Sequence, residues 1–234
     1  MTPVVRRCIL VGMLQARRRP KRGTATSRDP ARTRERLLRA AFQEMYRSGF
    51  RSADLDAILA AAGVTKGALY YHFENKEALG YAVVDEVIAS ITREKWAWPL
   101  QNSKNPIDGL IGIVQGTSFR PEDVECGCPL NNLSQEMSPL DEGFRRRTAK
   151  IFEDWSDAIA AALKQGQKLG LVRRDVDTGE TATFLIAAYE GFTSLAKNSQ
   201  DVRVLRAGQK SVIRFLKSLR GRSGRTKGRL VKAG

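Results

Sequence analysis

A short segment of the chain carries side chains suited to contacting nucleic acid. Within DLDAILAAAGVTKGALYYHFENK, residues 54–76, the small residues Gly67 and Ala68 are followed by Tyr70 and Tyr71. Small residues let a backbone come close to base edges. Phenol rings can contact thymine methyl groups, and their hydroxyls can bond phosphates. The segment therefore predicts contacts with both the bases and the phosphates of DNA.

Two short helices joined by a tight turn are needed to present these side chains. Asp54 is expected to cap the first helix, and Thr65 the second. Gly63 between them supplies a positive φ at no steric cost. Leu69 and Phe73 point back to the core from the second helix. This is the layout of a helix-turn-helix, whose second helix enters the major groove.

The start and end of the second helix are expected to meet the DNA backbone. The N–H groups of the turn that holds Thr65 and Lys66 can bond a phosphate, helped by the helix dipole. His72 and Lys76 extend the phosphate-facing edge. A core position is the alternative for Tyr71. His72 is the only histidine in the chain, and no nucleophile lies near it in sequence, so no catalytic residue is predicted.

The positive charge of the chain is concentrated at its two ends. The whole chain carries +15, of which residues 1–39 contribute +10 and residues 217–234 contribute +7, while residues 40–216 carry −2. Basic ends favour a polyanionic partner, although they also add solubility. A second hypothesis is therefore a nucleic-acid packaging or chaperone protein that binds any DNA with a steep salt dependence.

Composition argues against several other classes. Three cysteines, Cys8, Cys126 and Cys128, do not form a disulfide framework, so a cytoplasmic setting is expected. No apolar run has the length of a membrane-spanning helix, so no membrane partner is expected. No glycine-rich nucleotide loop follows a strand, and no metal-ligand cluster is apparent. The chain is therefore predicted to be a non-enzyme without a cofactor or a metal.

The first residues resemble a signal peptide only superficially. Arg6 and Arg7 precede the apolar stretch CILVGML, but RRRPKR follows where a small-residue cleavage site would stand. Residues 1–28 are therefore expected to be a disordered basic extension, with Met13 as an alternative start.

Apolar periodicity predicts helices throughout, and no segment has the pattern of a strand. A helix from about Ala31 to Arg47 is expected to end at Gly49, and a longer one to begin at Asn75. Residues 120–129 are expected to form a loop. Ser138 and Pro139 are expected to cap and start a long helix. Further helices are expected at about 107–119, 130–137, 178–197 and 202–219.

Residues 31–91 resemble the DNA-binding domain of the TetR family of bacterial transcriptional regulators. The resemblance lies in RERLLRAAFQEMYRSGF and DLDAILAAAGVTKGALYYHFENKEAL. It departs at Ala53-Asp54, where members usually carry Thr-Ser. It implies an all-α homodimer with a three-helix DNA-binding domain and a C-terminal helical bundle for ligand binding and dimerisation. It also implies DNA contacts from Arg32, Thr33, Thr65, Lys66, Gly67, Ala68, Tyr70, Tyr71 and Lys76.

The resemblance makes a ligand-responsive regulator the first hypothesis, most simply a repressor that a small-molecule inducer releases from double-stranded operator DNA. The expected domains are an extension at 1–28, the helix-turn-helix domain at 29–91, the ligand-binding and dimerisation domain at 92–219, and a disordered basic tail at 220–234.

Aromatic residues of the second domain are the candidates for the inducer pocket, although ordinary core is the alternative for each: Phe119, Trp155, Phe184, Tyr189 and Phe192. Cys126 and Cys128 are a further hypothesis, as sensors of an electrophile or oxidant. Nearby carboxylates such as Glu125 disfavour a reactive thiolate there.

The last two helices are expected to form the dimer interface. One apolar stripe contains Val202, Leu205, Val212, Ile213 and Leu216, and the other contains Ala182, Leu185, Ile186 and Tyr189. Two such hairpins can pack as an intermolecular four-helix bundle. The alternative is that both stripes are core of a single chain.

Overall fold

A computed structural model describes residues 29–117 and 121–221, with only the backbone at residues 121–123. The predicted extension at 1–28, nearly all of the predicted tail, and Phe119 lie outside the described residues. Within them the only strand-like contact is an isolated bridge between Val172 and Arg220. The all-α prediction is therefore confirmed.

Ten helices follow one another along the described chain. The fourth, α4, is a continuous helical run over residues 76–101 with two π-helical stretches. The helices are α1 Pro30–Ser48, α2 Leu55–Ala62, α3 Lys66–His72, α4 (Lys76–Ala82, Val83–Ile88, Ala89–Thr92, Arg93–Ala97 and Trp98–Gln101), α5 Pro106–Gly116, α6 Pro121–Cys126, α7 Pro129–Met137, α8 Glu142–Lys168, α9 Thr178–Ser199 and α10 Val202–Ser218.

Local sequence signals set the ends of the first helices as predicted. Asp29 caps α1, and Pro30 occupies its first turn, where the missing N–H is not needed. Gly49 ends α1 with a φ of 81°. Asp54 caps α2 by accepting from the N–H of Asp56 at 2.9 Å. The Asp that replaces the family's Thr-Ser pattern therefore keeps the capping role.

Two sequence expectations about the middle of the chain were wrong. Residues 120–129 are not all loop, because α6 begins at Pro121. A proline at the first helical position with acidic residues after it favours a helix start, and these signals outweighed the flanking Gly and Cys. The long helix α8 is not capped by Ser138. Its cap is Asp141, whose carboxylate accepts from the N–H of Phe144 at 2.8 Å.

Two large hydrophobic cores and a small third cluster of Val124, Ala196 and Leu205 make up the interior of the described residues. The first packs α1–α3 and the start of α4 against α7 and the start of α8, with Phe42, Leu69, Val83 and Phe144 among its buried members. The second lies inside the bundle of α5, α8, α9 and α10. Residues of α4 and α8 contribute to both cores, so these two helices connect the DNA-binding half to the bundle. No helix among the described residues is long and apolar enough to cross a membrane.

Candidate DNA-binding surface and ligand-binding cluster

Helix α3 presents two phenol rings to solvent and anchors itself by the residues between and beyond them. Tyr70 is 47% exposed and Tyr71 is 76% exposed. Leu69 and Phe73 are buried in the first core. Large exposed aromatic side chains are costly on an otherwise polar surface, and a surface that keeps them is suited to a partner.

The turn before α3 fixes the angle at which this helix projects. Gly63 adopts a left-handed conformation with a φ of 60° and a ψ of 44°. The Arg36 guanidinium from α1 donates to the carbonyl oxygen of Gly63 at 2.7 Å and also to that of Ala62. Thr65 then caps α3 by accepting from the N–H of Ala68 at 3.2 Å. All three helices therefore hold the turn in one geometry.

The small residue in the first turn of α3 is not required by the fold. A Cβ built on Gly67 would meet nothing closer than the Thr65 hydroxyl oxygen, at 3.9 Å. Lys66 beside it is exposed. Gly67 therefore leaves open space on the surface where a DNA backbone or base edge would approach.

The other predicted DNA contacts are placed differently from one another. His72 is half-buried and meets the Tyr71 ring edge-on, with ring centroids 5.0 Å apart. Arg32 and Thr33 lie in the first turn of α1, with Arg32 exposed and Thr33 half-buried. These positions leave the DNA contacts of all three as predictions.

Lys76 has a structural role that its sequence position did not indicate. Its ammonium donates to the carbonyl oxygen of Arg51 at 3.1 Å and lies 5.1 Å from the centre of the Phe50 ring. The charge thereby ties the start of α4 to the loop between α1 and α2. A phosphate contact by Lys76 remains a prediction.

A carboxylate from the larger domain accepts hydrogen bonds from the same loop between α1 and α2. The two oxygens of Glu136 in α7 accept from the N–H groups of Phe50 at 2.8 Å and Arg51 at 2.9 Å. Charge-assisted hydrogen bonds of this kind are among the stronger ones in proteins. The end of α7 is therefore connected directly to the loop that precedes the helix-turn-helix.

The bundle contains a buried polar cluster built on aromatic rings. The Lys95 ammonium donates to the Tyr189 hydroxyl oxygen at 2.5 Å and lies 5.7 Å from the centre of the Trp96 ring. Trp155 packs against Trp96 with centroids 4.8 Å apart, and against Tyr189 at 5.8 Å. Two predicted ligand residues, Trp155 and Tyr189, are thus brought together beside the half-buried ammonium of Lys95.

A buried carboxyl group and a thiol complete this cluster. Glu190 is 7% exposed, and burial raises its pKa to about 7, against the lowering effects of Cys128 and Lys95. Burial raises the pKa of the Cys128 thiol well above its ordinary value, and Glu190 raises it further. A neutral thiol is a poor nucleophile, so sensing by thiolate chemistry at Cys128 is disfavoured.

Burial acts on the lysine of the cluster in the opposite direction from its effect on the two acids. Burial, the largest influence, lowers the pKa of Lys95. Tyr189, Cys128 and Glu190 together raise it above its ordinary value. Ionised Glu190 therefore favours the charged form of Lys95, against the effect of burial.

Sequence reasoning missed Lys95, Glu190 and Glu136. A usable signal existed for one of them, because Glu190 is the only charged residue in the apolar stretch TATFLIAAYEGFTSLA, residues 181–196. A lone charge on a buried helix must face a polar partner or a ligand.

The remaining predicted ligand residues are dispersed. Phe192 lines a small cavity next to Tyr189 and covers Gly208. Cys126 is buried at the end of α6. Phe184 is 50% exposed and packs on Phe215, away from the Lys95 cluster.

The apolar stripes predicted for the dimer interface are largely core of the single chain. Ala182, Leu185, Leu205 and Leu216 are buried. A groove of about 310 Å³ stays open along α9 and α10 and shares only Val212 with those stripes. It is lined by Phe184, Ala188, Gly191, Phe192, Leu195, Ser211, Val212 and Phe215. Helical periodicity located apolar positions on these helices but not which of their faces stays uncovered.

Comparison with known proteins matches both halves of the chain to one family. The family described as "Bacterial regulatory proteins, tetR family" matches residues 37–83, and the family described as "Tetracyclin repressor-like, C-terminal domain" matches residues 114–212. The HTH-type transcriptional repressor DhaR of Mycobacterium sp. (strain GP1) is 32% identical over 165 residues, covering 68% of this chain and 79% of that protein.

Solved structures have the same architecture. The reduced form of E. coli NemR superposes with a TM-score of 0.70 at 26% identity, covering 81% of this chain and 97% of that one. A TetR transcriptional regulator from Chloroflexus aurantiacus J-10-FL superposes with a TM-score of 0.74 at 28% identity, covering 83% and 99%. The chain therefore belongs to the TetR family of bacterial regulatory proteins and is a helix-turn-helix, DNA-binding transcriptional regulator.

Proposed function

We propose that this regulator is a homodimeric repressor that binds operator DNA through α3 and leaves it when a small molecule binds the bundle. The observation that carries the proposal is the pair of exposed rings, Tyr70 and Tyr71, on a helix whose other side is anchored by Leu69 and Phe73. DNA contacts are proposed for Thr65, Lys66, Gly67, Ala68, Tyr70 and Tyr71, with Arg32, Thr33, His72 and Lys76 at the phosphates.

The dimer is proposed from the exposed apolar groove of α9 and α10. Phe184 and Leu195 on α9 are 50% and 59% exposed. A two-fold pairing of this groove would bring two copies of α3 to successive major-groove half-sites, about 34–36 Å apart. The cytoplasm, where operator DNA is accessible, is the compartment that this function requires.

Communication between ligand and DNA is proposed to run through α7. Cys128, at the cap of α7, faces Glu190, and Glu136 near its other end holds the loop at Phe50 and Arg51. A ligand needs only a modest difference in affinity between two arrangements of α7 to shift the orientation of α3.

The test compares how tightly the parent chain and a Tyr70→Ala variant bind the DNA that flanks the regulator's own gene. Fluorescence anisotropy should show at least about tenfold weaker binding, because a base contact is worth about 1–3 kcal/mol. Leu140→Ala, an exposed apolar residue in the loop before α8, is the matched control. Unchanged affinity in Tyr70→Ala and in Tyr71→Ala would refute α3 as the DNA-contacting element.

A further inference from the structure

The Lys95 cluster contains polar atoms that the protein itself does not satisfy. The Trp155 indole N–H and both carboxyl oxygens of Glu190 are buried, and none makes a hydrogen bond of ordinary geometry among the described residues, although the Cys128 thiol lies close enough to Glu190 to affect its pKa. Trp155 is 3% exposed. An unpaired buried polar group costs about 1–3 kcal/mol, so a protein that keeps three such atoms in one cluster is suited to a ligand that pairs them.

Two side chains of the cluster, Trp155 and Lys95, offer N–H donors to a ligand. The Trp155 indole donates only. The Lys95 ammonium has three N–H groups, and one of them is used by Tyr189. The Glu190 carboxyl, whose pKa burial raises to about 7, holds a proton in a large fraction of molecules near neutral pH and then donates as well. A matching ligand group must therefore be an acceptor.

The charges select among acceptors. Lys95 is the basic group of the cluster, while Glu190, Tyr189 and Cys128 are acids whose pKa values burial raises. A ligand cation would be repelled by Lys95 and would leave the Trp155 N–H unpaired. A ligand carboxylate would neutralise Lys95 and accept from both Trp155 and the protonated Glu190.

The surroundings indicate what the rest of the ligand must be. The cavity that touches Trp96 and Tyr189 is lined mainly by apolar side chains such as Leu110, Val114 and Leu185, together with the polar Thr117, Thr193 and Gln209. Lys95, Trp155 and Glu190 do not line it, so the cavity lies next to the polar cluster. Its volume is about 30 Å³, room for a single water molecule, so a ligand must widen it. Phe192, which lies on Gly208 at its wall, is the side chain placed to move.

We propose that the effector of this regulator is a small monocarboxylate with an apolar body, whose carboxylate binds Lys95, Trp155 and Glu190. This inference rests on the proposed function and specifies its ligand class. It predicts that binding takes up a proton at Glu190, since a carboxylate beside that group favours its neutral form.

Calorimetry on the full chain tests the ligand class directly. The probes are benzoate, benzamide and benzylamine, which share a ring and differ in charge, with hexanoate as a flexible acid. Benzoate or hexanoate should bind at least about tenfold more tightly than benzamide, and benzylamine should not displace the bound acid. Stronger binding of benzylamine or benzamide, or no binding of either acid in the millimolar range, would overturn the proposal.

The pH dependence and variants test the residues. Affinity for the bound acid should be nearly constant between about pH 5.5, above which the ligand carboxyl is ionised, and about pH 6. It should fall by up to about tenfold per pH unit above about pH 7, as Glu190 must regain its proton. Glu190→Gln should abolish this dependence. Lys95→Met should weaken binding at least about tenfold, while Glu180→Gln and Lys164→Met, exposed on α9 and α8, should not.

If the affinity for the acid still depends on pH in Glu190→Gln, the proton taken up on binding does not belong to Glu190. If Lys95→Met does not fold, Trp155→Phe replaces it, with a smaller loss expected for one neutral hydrogen bond. None of these titrations contains DNA. A chain that binds benzoate but shows no operator preference would refute the proposed function, whereas operator binding without acid binding would refute only the ligand class.

Discussion

At the scale of residues, the proposed DNA-binding surface depends on the missing side chain of Gly67 as much as on the side chains around it. Gly67 has no steric need to be glycine, since a Cβ there would have open space. Glycine nevertheless costs about 0.5–1 kcal/mol in a helix relative to alanine. A residue that weakens its own helix and is not required by packing is explained by the approach of a partner.

Gly67→Gln should therefore separate stability from function. The variant should be as stable as the parent or more so, because a better helix former replaces glycine in α3. Its operator affinity should fall at least about tenfold, because the new side chain occupies the space of the DNA. Thermal unfolding and anisotropy titration measure the two effects. A stable variant with unchanged affinity would show that DNA does not approach Gly67.

The buried carboxyl group of the bundle makes a second prediction about single residues. Burial raises the pKa of Glu190 in the folded chain to about 7, from an ordinary value of 4.5. The folded state thus holds a proton that the unfolded state releases, and stability falls as pH rises from about 4.5 to 7. Burying the ionised form costs about 3 kcal/mol at most.

Glu190→Gln should remove that cost. The free energy of unfolding of the variant should exceed that of the parent at pH 8, and the two should converge below about pH 4.5. Urea unfolding at both pH values measures the difference, with Glu180→Gln on the same helix as the control. An equal gap at both pH values would mean that the carboxyl of Glu190 is not protonated in the folded state.

At the scale of elements, capping residues fixed most of what sequence could predict. Asp54, Gly63 and Thr65 determine the helix-turn-helix locally, so their pattern was sufficient. Ser138 has the residue type of a helix cap, but Asp141, a stronger acceptor three residues later, caps α8. Local preferences of similar strength compete, and only packing decides between them.

The contact between α7 and the loop after α1 belongs to this scale and was not predictable. Glu136 and the N–H groups it accepts from are separated by 86 and 85 residues, so no local pattern connects them. Glu136→Ala should leave the two N–H groups of Phe50 and Arg51 without a protein partner. Their amide exchange should quicken by about tenfold, as expected for the loss of one charge-assisted hydrogen bond each.

Hydrogen exchange with residue resolution provides the measurement. Glu142→Ala is the matched control, because its carboxylate is exposed and pairs with the neighbouring Arg145 and Arg146. If amide exchange at Phe50 and Arg51 were unchanged in Glu136→Ala, the hydrogen bonds to Glu136 would not stabilise this loop, and α7 would not be coupled to the DNA-binding half through them.

At the scale of the whole molecule, sequence located the family, the helices and the two halves but not the buried polar cluster or the exposed face. The cluster joins residues from α4, α8, α9 and the cap of α7, whose proximity depends on the whole fold. The exposed face differs from the predicted stripes because α9 and α10 are apolar on more than one side. Periodicity alone does not show which side a single chain covers.

Phe184→Asp tests the proposed pairing of the exposed face. A charge there should split the dimer in sedimentation at micromolar concentration, since burying an unpaired carboxylate is costly. Operator affinity should fall at least about a hundredfold once two DNA-binding domains are no longer linked. Leu169→Asp is the control, because Leu169 is 58% exposed at the end of α8, away from the groove. Dimers that persist in Phe184→Asp would move the interface elsewhere.

The central claim is sequence-specific DNA binding by α3, and salt-titrated binding tests it most directly. The purified chain is titrated with its own flanking intergenic DNA and with scrambled DNA of equal length. Both affinities should fall with salt, but the native segment should be preferred at every concentration, and Lys66→Ala should reduce that preference or the salt slope. Equal affinity for both DNAs, lost only when residues 1–28 and 222–234 are removed, would contradict the claim and favour a packaging protein.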